Sequence, residues 1–252
     1  MTGELRFEVE NQIATIEFYH PKGNSLPSTL LNQLAETIIK SGNDPSVKVV
    51  LLRSRGEGAF CAGASFGELL SIQSEEEANS FFMGFGKLIL AIKNCPKFVI
   101  TRVQGKAVGG GVGIIAACDY AIGNSDASIK LSELSIGFGP FVIAPAVIRK
   151  IGLSAFSSLT IDSANWKSAQ WALDMGLFNL VAKDHDSLDE ECTTLCNSLA
   201  GSSPEAMKSI KKMLWEGYEN LEEVFEERSR TSGILSQTET TQKILSEFKS
   251  AK

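Results

Sequence analysis

The chain has two histidines, His20 and His185, and no cysteine lies beside either. A zinc site built on Cys/His spacing is therefore not expected. The five cysteines (Cys61, Cys95, Cys118, Cys192 and Cys196) are odd in number and irregular in spacing. That pattern excludes a disulfide framework. Cys192 and Cys196 stand at helical spacing and read as one buried helix face. No apolar run is long enough to cross a bilayer. The longest glycine-rich apolar stretch, 107–118, is broken by Gly109, Gly110, Gly111 and Gly113. The first residues lack a basic segment followed by an apolar one, so no signal peptide is expected. Basic residues are also in deficit: 24 Lys and Arg against 30 Asp and Glu, a net charge of −6. A nucleic-acid or anionic-membrane surface needs the opposite balance. These absences predict a cytoplasmic protein with reduced cysteines, no metal, no nucleic-acid partner and no membrane attachment.

What is present is ordinary globular material: 252 residues, 43% hydrophobic and 21% charged. This suits one large domain, or one domain with a small appendage. Residues 5–19 alternate around a turn at Glu10-Asn11-Gln12, which predicts a β-hairpin. Ser28–Ser41 carries Leu30, Leu31, Leu34 and Ile38 at helical spacing, with Ser28 suited to an N-cap and Gly42 to a stop. Strands are predicted over 47–52, 96–103, 120–123 and 128–131. Helices are predicted from about 74 to 92, then over 145–151 and 155–159. A mostly helical tail covers 167–175, 187–200, 204–214, 221–231 and 238–249. The alternation of strands and helices through about residue 150 favours a layered α/β architecture.

Two glycine-rich loops follow strands. One is Phe60-Cys61-Ala62-Gly63-Ala64 and the other is Val108-Gly109-Gly110-Gly111, which opens a small-residue apolar run. Glycine lets backbone N–H groups approach a ligand closely. A helix N-terminus aims such groups at negative charge. The triple-glycine run is not a phosphate loop of the common kinds. Taken alone, a triple glycine is equally compatible with a tight turn.

Together the loops resemble the enoyl-CoA hydratase/isomerase superfamily, the crotonases, whose usual forms are F-C-A-G-A-D and G-x-A-x-G-G-G-x-E-L-A-x-A-C-D. Further matches follow in order. They are Asn24-Ser25-Leu26, Leu131-Ser132-Glu133, Gly152, Ala172–Asn179 and Ser203-Pro204-Glu205-Ala206. The resemblance covers nearly the whole chain. It implies a spiral of β-β-α units over 1–195 and a C-terminal helical trimerisation region over 196–252. It also implies an acyl-CoA thioester substrate, no separate cofactor, and a homotrimer or dimer of trimers.

By position, the Ala64 and Gly110 N–H groups would form an oxyanion hole, and Gly110→Val would test it more sharply than Gly110→Ala. Glu133 would be the acid/base. Apolar neighbours Leu131, Leu134 and Ile136 would raise its pKa. Without the resemblance, Glu133 reads as a surface acid. Lys22 would lie near the CoA phosphates, or else be a solvated loop lysine, and the Ala62 carbonyl would face the adenine. Gly109, Gly111, Gly113 and Pro140 would complete the CoA and acyl contacts.

Two departures stand out. Gly113 replaces the first of the two glutamates that most hydratases of the family use, and Ser65 replaces an Asp. A single carboxylate fits Δ3,Δ2-enoyl-CoA isomerases. It also fits a bacterial methylglutaconyl-CoA hydratase-like branch, whose longer pattern is matched through Gly137, Pro140, Ile143, Pro145 and Val147. The longer match ranks hydration first, with isomerisation second. CoA-thioester decarboxylation and a non-catalytic acyl-CoA-binding role come behind.

Overall fold

The computed structural model describes residues 3–250, with side chains through 247. The outermost residues of the two predicted regions lie outside that range. The order along the chain is β1 (Glu4–Glu10), β2 (Ile13–Tyr19), α1 (Ser28–Asn43), β3 (Val49–Ser54), α2 (Phe66–Leu69), α3 (Glu75–Asn94), β4 (Phe98–Val103), β5 (Ala107–Val108), α4 (Gly110–Ala117), β6 (Tyr120–Asn124) and β7 (Ser128–Lys130). A 3₁₀ turn (Glu133–Ile136) precedes α5 (Ala144–Ile161), β8 (Lys167–Ser168), α6 (Ala169–Asp174) and β9 (Leu180–Ala182). Four helices finish the chain: α7 (His185–Ala200), α8 (Pro204–Leu214), α9 (Leu221–Ser236) and α10 (Glu239–Ser250).

The predicted hairpin forms. Asn11 and Gln12 both take positive φ, 51° and 66°. Two such residues make the turn whose twist suits a two-residue hairpin. On β2 the alternation buries Ala14, Ile16 and Phe18. Strand β1 is the sheet edge, and its Phe7 and Val9 stay 37% and 40% exposed. The six strands run β1-β2-β3-β4-β6-β9, antiparallel at the hairpin and parallel beyond it. Both faces are covered, as a parallel sheet requires. Val50 and Leu52 face the main core, while Val49 packs with Cys196 of α7.

Helix α1 does not use the predicted cap. Pro27 occupies the cap position without a capping side chain, and Glu68 from α2 accepts the Ser28 N–H at 2.8 Å instead. Gly42 is not the stop. It lies inside the helix, where an added Cβ would come within 3.0 Å of the Pro96 ring. The helices predicted over 145–151 and 155–159 become one element, α5, broken at Gly152 with φ 75° and ψ 163°. The 167–175 segment splits into β8 and α6. The predicted boundary between 195 and 196 falls inside α7. Cys192 and Cys196 of that continuous helix are both buried. Among the described residues, no helix is long and apolar enough to cross a membrane.

Candidate active site

A second, smaller sheet lines up segments that lie far apart in sequence. Its strands run β5-β7-β8, and two isolated parallel bridges, Leu26 to Ala64 and Cys61 to Ala107, extend it across the preceding loops. The ladder thus places the 60–64 loop beside β5, and β5 with its glycine loop beside β7, which leads into Glu133. Gly109 N–H donates to the Lys130 carbonyl at 2.9 Å and closes the arrangement.

The Leu26–Ala64 bridge explains why one N–H is available. Its two hydrogen bonds run from Leu26 N–H to Gly63 O (2.8 Å) and from Ser65 N–H to Leu26 O (3.1 Å). Ladder geometry therefore leaves the Ala64 N–H on the other side of the strand, with no ladder partner. Gly110 is the first residue of α4, where an N–H has no carbonyl one turn back to bond. The loops approach closely: a Cβ at Gly63 would lie 3.0 Å from Val108 O and 3.8 Å from Gly110 N. Gly63 itself has φ 84°, so glycine is required there twice over.

Helix α4 is buried and apolar, so its dipole is little screened. Cations meet its C-terminal end. Lys150 Nζ donates to the Cys118 and Asp119 carbonyls at 3.2 and 3.1 Å, and Arg149 Nη2 donates to Ala116 O at 3.0 Å. Burial lowers the Lys150 ammonium to about 8. The N-terminal end, at Gly110, opens on the cleft.

Glu133 begins the 3₁₀ turn. Its Oε2 is buried and has no hydrogen-bond partner in the protein. Desolvation raises its carboxyl from 4.5 to about 7, and a backbone N–H opposes the rise only in part. A carboxyl near neutrality can both take and return a proton at physiological pH. The approach to Gly109 is tight. Gly109 has φ 53°, and an added Cβ would meet Glu133 Oε1 at 2.7 Å.

Ala62, Ala64, Gly109, Gly110, Glu133 and Pro140 all line one cleft of about 780 Å³, part of it open to solvent. Three other expected contacts do not line it. Lys22 is exposed in the 20–24 loop. That loop is stapled to the site by the Ala62 N–H donating to Gly23 O at 3.0 Å. Gly111 is buried, because a Cβ there would meet Cys61 Cβ at 2.8 Å. Gly113 is buried too, and a Cβ on it would overlap the Ile143 side chain. Both glycines permit close packing at these points.

The Gly113 result is more than a missing carboxylate, because Ile143 occupies the space that a side chain would need. Adding one carbon by Gly113→Ala overpacks the pair and should cost about 1–3 kcal/mol. Ile143→Ala should cost about 2–5 kcal/mol through the cavity it leaves. The two changes relieve each other, so the double variant should lose less than the sum, by about 0.5–3 kcal/mol. Urea denaturation of the four proteins measures this, and strict additivity would contradict it. Ser65, in place of the usual Asp, serves the local backbone. Its Oγ accepts the Glu68 N–H at 3.4 Å as the N-cap of α2.

Two features escape sequence reasoning. The first is the aromatic wall of the cleft, formed by Phe66, Phe81, Phe82, Phe85, Phe138 and Phe141. These residues come from α2, α3 and the 138–141 loop, so no local motif collects them. The second is Thr241 of α10. Its hydroxyl donates to Gly137 O at 3.0 Å, directly after the turn that carries Glu133. A Cβ on Gly137 would sit 2.5 Å from that hydroxyl oxygen. Thr241 is thus a positioning residue for the turn. Thr241→Val should lower kcat by about 3- to 10-fold, equivalent to about 1 kcal/mol, with KM little changed, and Thr241→Ser should restore it. Parallel loss of kcat in both variants would contradict this role.

A family model described as enoyl-CoA hydratase/isomerase matches residues 8–251. The chain belongs to that family. It is 29% identical over 212 residues to a probable enoyl-CoA hydratase of Bacillus subtilis, covering 84% of this chain and 81% of the relative. It is 26% identical over 206 residues to a peroxisomal Delta(3,5)-Delta(2,4)-dienoyl-CoA isomerase of Arabidopsis thaliana, covering 76% and 72%. The fold is also that of the enoyl-CoA hydratase crystal structure from Bacillus halodurans. The TM-score is 0.90 at 22% identity, over 96% of this chain and 99% of that one. The chain is therefore an enzyme of the hydratase/isomerase family with the mixed α/β crotonase fold.

Proposed function

We propose that this enzyme adds water reversibly across the C2–C3 double bond of a 2-enoyl-CoA thioester, with Glu133 as its single acid/base. One observation carries the reading: the unpartnered, buried Oε2 of Glu133 lies in the same cleft as Ala64 and Gly110, whose N–H groups are left free by the bridge and by the helix start. The Glu133 carboxylate takes a proton from water, and the hydroxide adds at C3. The electron pair moves through C2 to the thioester oxygen, where the two N–H groups stabilise the developing charge. The protonated Glu133 then delivers its proton to C2 and is a carboxylate again. One carboxylate thus completes the cycle, with no group needed at Gly113. Several relatives named enoyl-CoA hydratases support this reading.

Isomerisation is the second reading, and the Gly113–Ile143 packing favours it. With no second carboxylate to hold water, Glu133 would move a proton from C2 to C4 of a 3-enoyl-CoA, and the double bond would shift to C2–C3. The methylglutaconyl identity finds no support in the lining. Its distal carboxylate needs a cation, and Glu133 is the only charged residue lining the cleft among those described.

Mass analysis of products from 2-enoyl-, 3-enoyl- and 3-hydroxyacyl-CoA in ordinary and deuterated water tests the choice. Hydration predicts gain of one water from the 2-enoyl substrate. Double-bond shift from the 3-enoyl substrate without gain of water would favour isomerisation instead. The assembly we propose is the implied homotrimer or dimer of trimers, which sedimentation of the purified chain tests.

A further inference from the structure

Beyond Glu133 the cleft is walled by rings. Phe82 meets Phe138 at a centroid distance of 5.2 Å and Phe81 edge-on at 5.3 Å. Leu69 of α2 and Leu245 of α10 pack behind them. Apart from Glu133, the polar side chains in the lining are Ser132 and Ser232. Arg228 donates to the Phe141 carbonyl at 3.3 Å and is not among the lining residues.

We propose that this cleft selects thioesters with a bulky, uncharged apolar acyl tail, seated against Phe82 and Phe138, and rejects acyl groups that end in a carboxylate. The proposal rests on the CoA-thioester reading above and adds the class of acyl group. Two physical terms act in the same direction. A ring or branched tail gains area and edge-to-face contact against the rings. A carboxylate tail would lose its hydration without a cation and would sit beside the negative Glu133. Phe82 and Phe138 are the specificity-determining residues.

Saturated thioesters cannot react, so their binding isolates selection from catalysis. Calorimetry on the full chain with butyryl-, 3-phenylpropanoyl- and glutaryl-CoA is the test. The phenyl compound should bind about 10-fold tighter than butyryl-CoA and glutaryl-CoA at least about 10-fold weaker. Phe138→Ala should erase the preference for the phenyl tail, lowering the ratio of 3-phenylpropanoyl-CoA to butyryl-CoA affinity by about 10-fold. Phe82→Leu, which keeps most of the volume, should weaken that preference in a folded protein. Glutaryl-CoA binding as tightly as butyryl-CoA would overturn the proposal and leave the thioester reading intact. A phenyl preference unchanged in both variants would do the same. Failure of all three thioesters to bind would remove the underlying reading and this proposal with it.

Discussion

Glu133→Gln is expected to lower kcat by about 10²–10⁴-fold, the range for a group that transfers protons in the transition state. The affinity for a saturated acyl-CoA should change little. Gln matches Glu in shape and keeps the turn at 133–136, but it cannot cycle between acid and base. In the proposed hydration both roles, in both directions, fall on this one side chain, because Ile143 fills the space beside Gly113. No other carboxylate lines the cleft among the described residues, so none is in place to substitute. Turnover near wild type in Glu133→Gln would remove the assignment.

The same variant has a stability signature whose sign follows from the raised pKa. Between 4.5 and about 7 the folded protein holds a proton on Glu133 that an unfolded chain has released. The stabilising contribution is therefore fully present below 4.5 and is lost as pH rises through about 7. Above that pH the enzyme buries a carboxylate whose Oε2 has no partner. Glu133→Gln should thus gain on wild type as pH rises from about 5 to about 8, by up to about 3 kcal/mol. Activity runs the other way, because the cycle begins with the carboxylate. The kcat/KM of wild type should fall below a pH of about 7. Denaturation at both pH values and a pH–rate profile read the two trends independently.

The residues that announce themselves in the sequence do so through local rules. The glycine loops after β3 and β5 and the break at Gly152 reflect backbone requirements that glycine meets, and the hairpin turn at 11–12 follows from the alternation on either side of it. Glu133 is legible only through the family pattern, since one acid among thirty carries no local mark. What stays hidden depends on contacts between distant segments. Gly113 looks like a lost group until Ile143, thirty residues on, is seen in its place. Thr241 lies about a hundred residues from the Gly137 carbonyl that it holds. The phenylalanines of the wall stand in three separate stretches, and each alone reads as core. Even a local cue can mislead. Ser28 reads as the N-cap of α1, yet Pro27 holds that position and Glu68 reaches over from α2 to accept the Ser28 N–H.

Gly110→Ala should be nearly as damaging as Gly110→Val, contrary to what side-chain bulk alone suggests. The first added carbon at Gly110 already overlaps the Phe85 ring of α3. Phe85 packs in the main core and also lines the cleft, so a displaced ring narrows the acyl space. The rest of the strain moves the start of α4, which carries the N–H that the proposed reaction sets against the thioester oxygen. Loss of one such donor costs about 10²–10³ in kcat, or about 2.7–4 kcal/mol. Because the donor acts mainly on the developing oxyanion, kcat should fall far more than the affinity for saturated thioesters. Phe85→Leu provides the control. It opens space above Gly110, so Phe85→Leu with Gly110→Ala should recover part of the lost kcat, whereas Phe85→Leu alone should change kcat little. Full activity in Gly110→Ala would mean that the start of α4 does not face the reacting thioester. A double variant no better than Gly110→Ala would mean that the ring is not what displaces the donor.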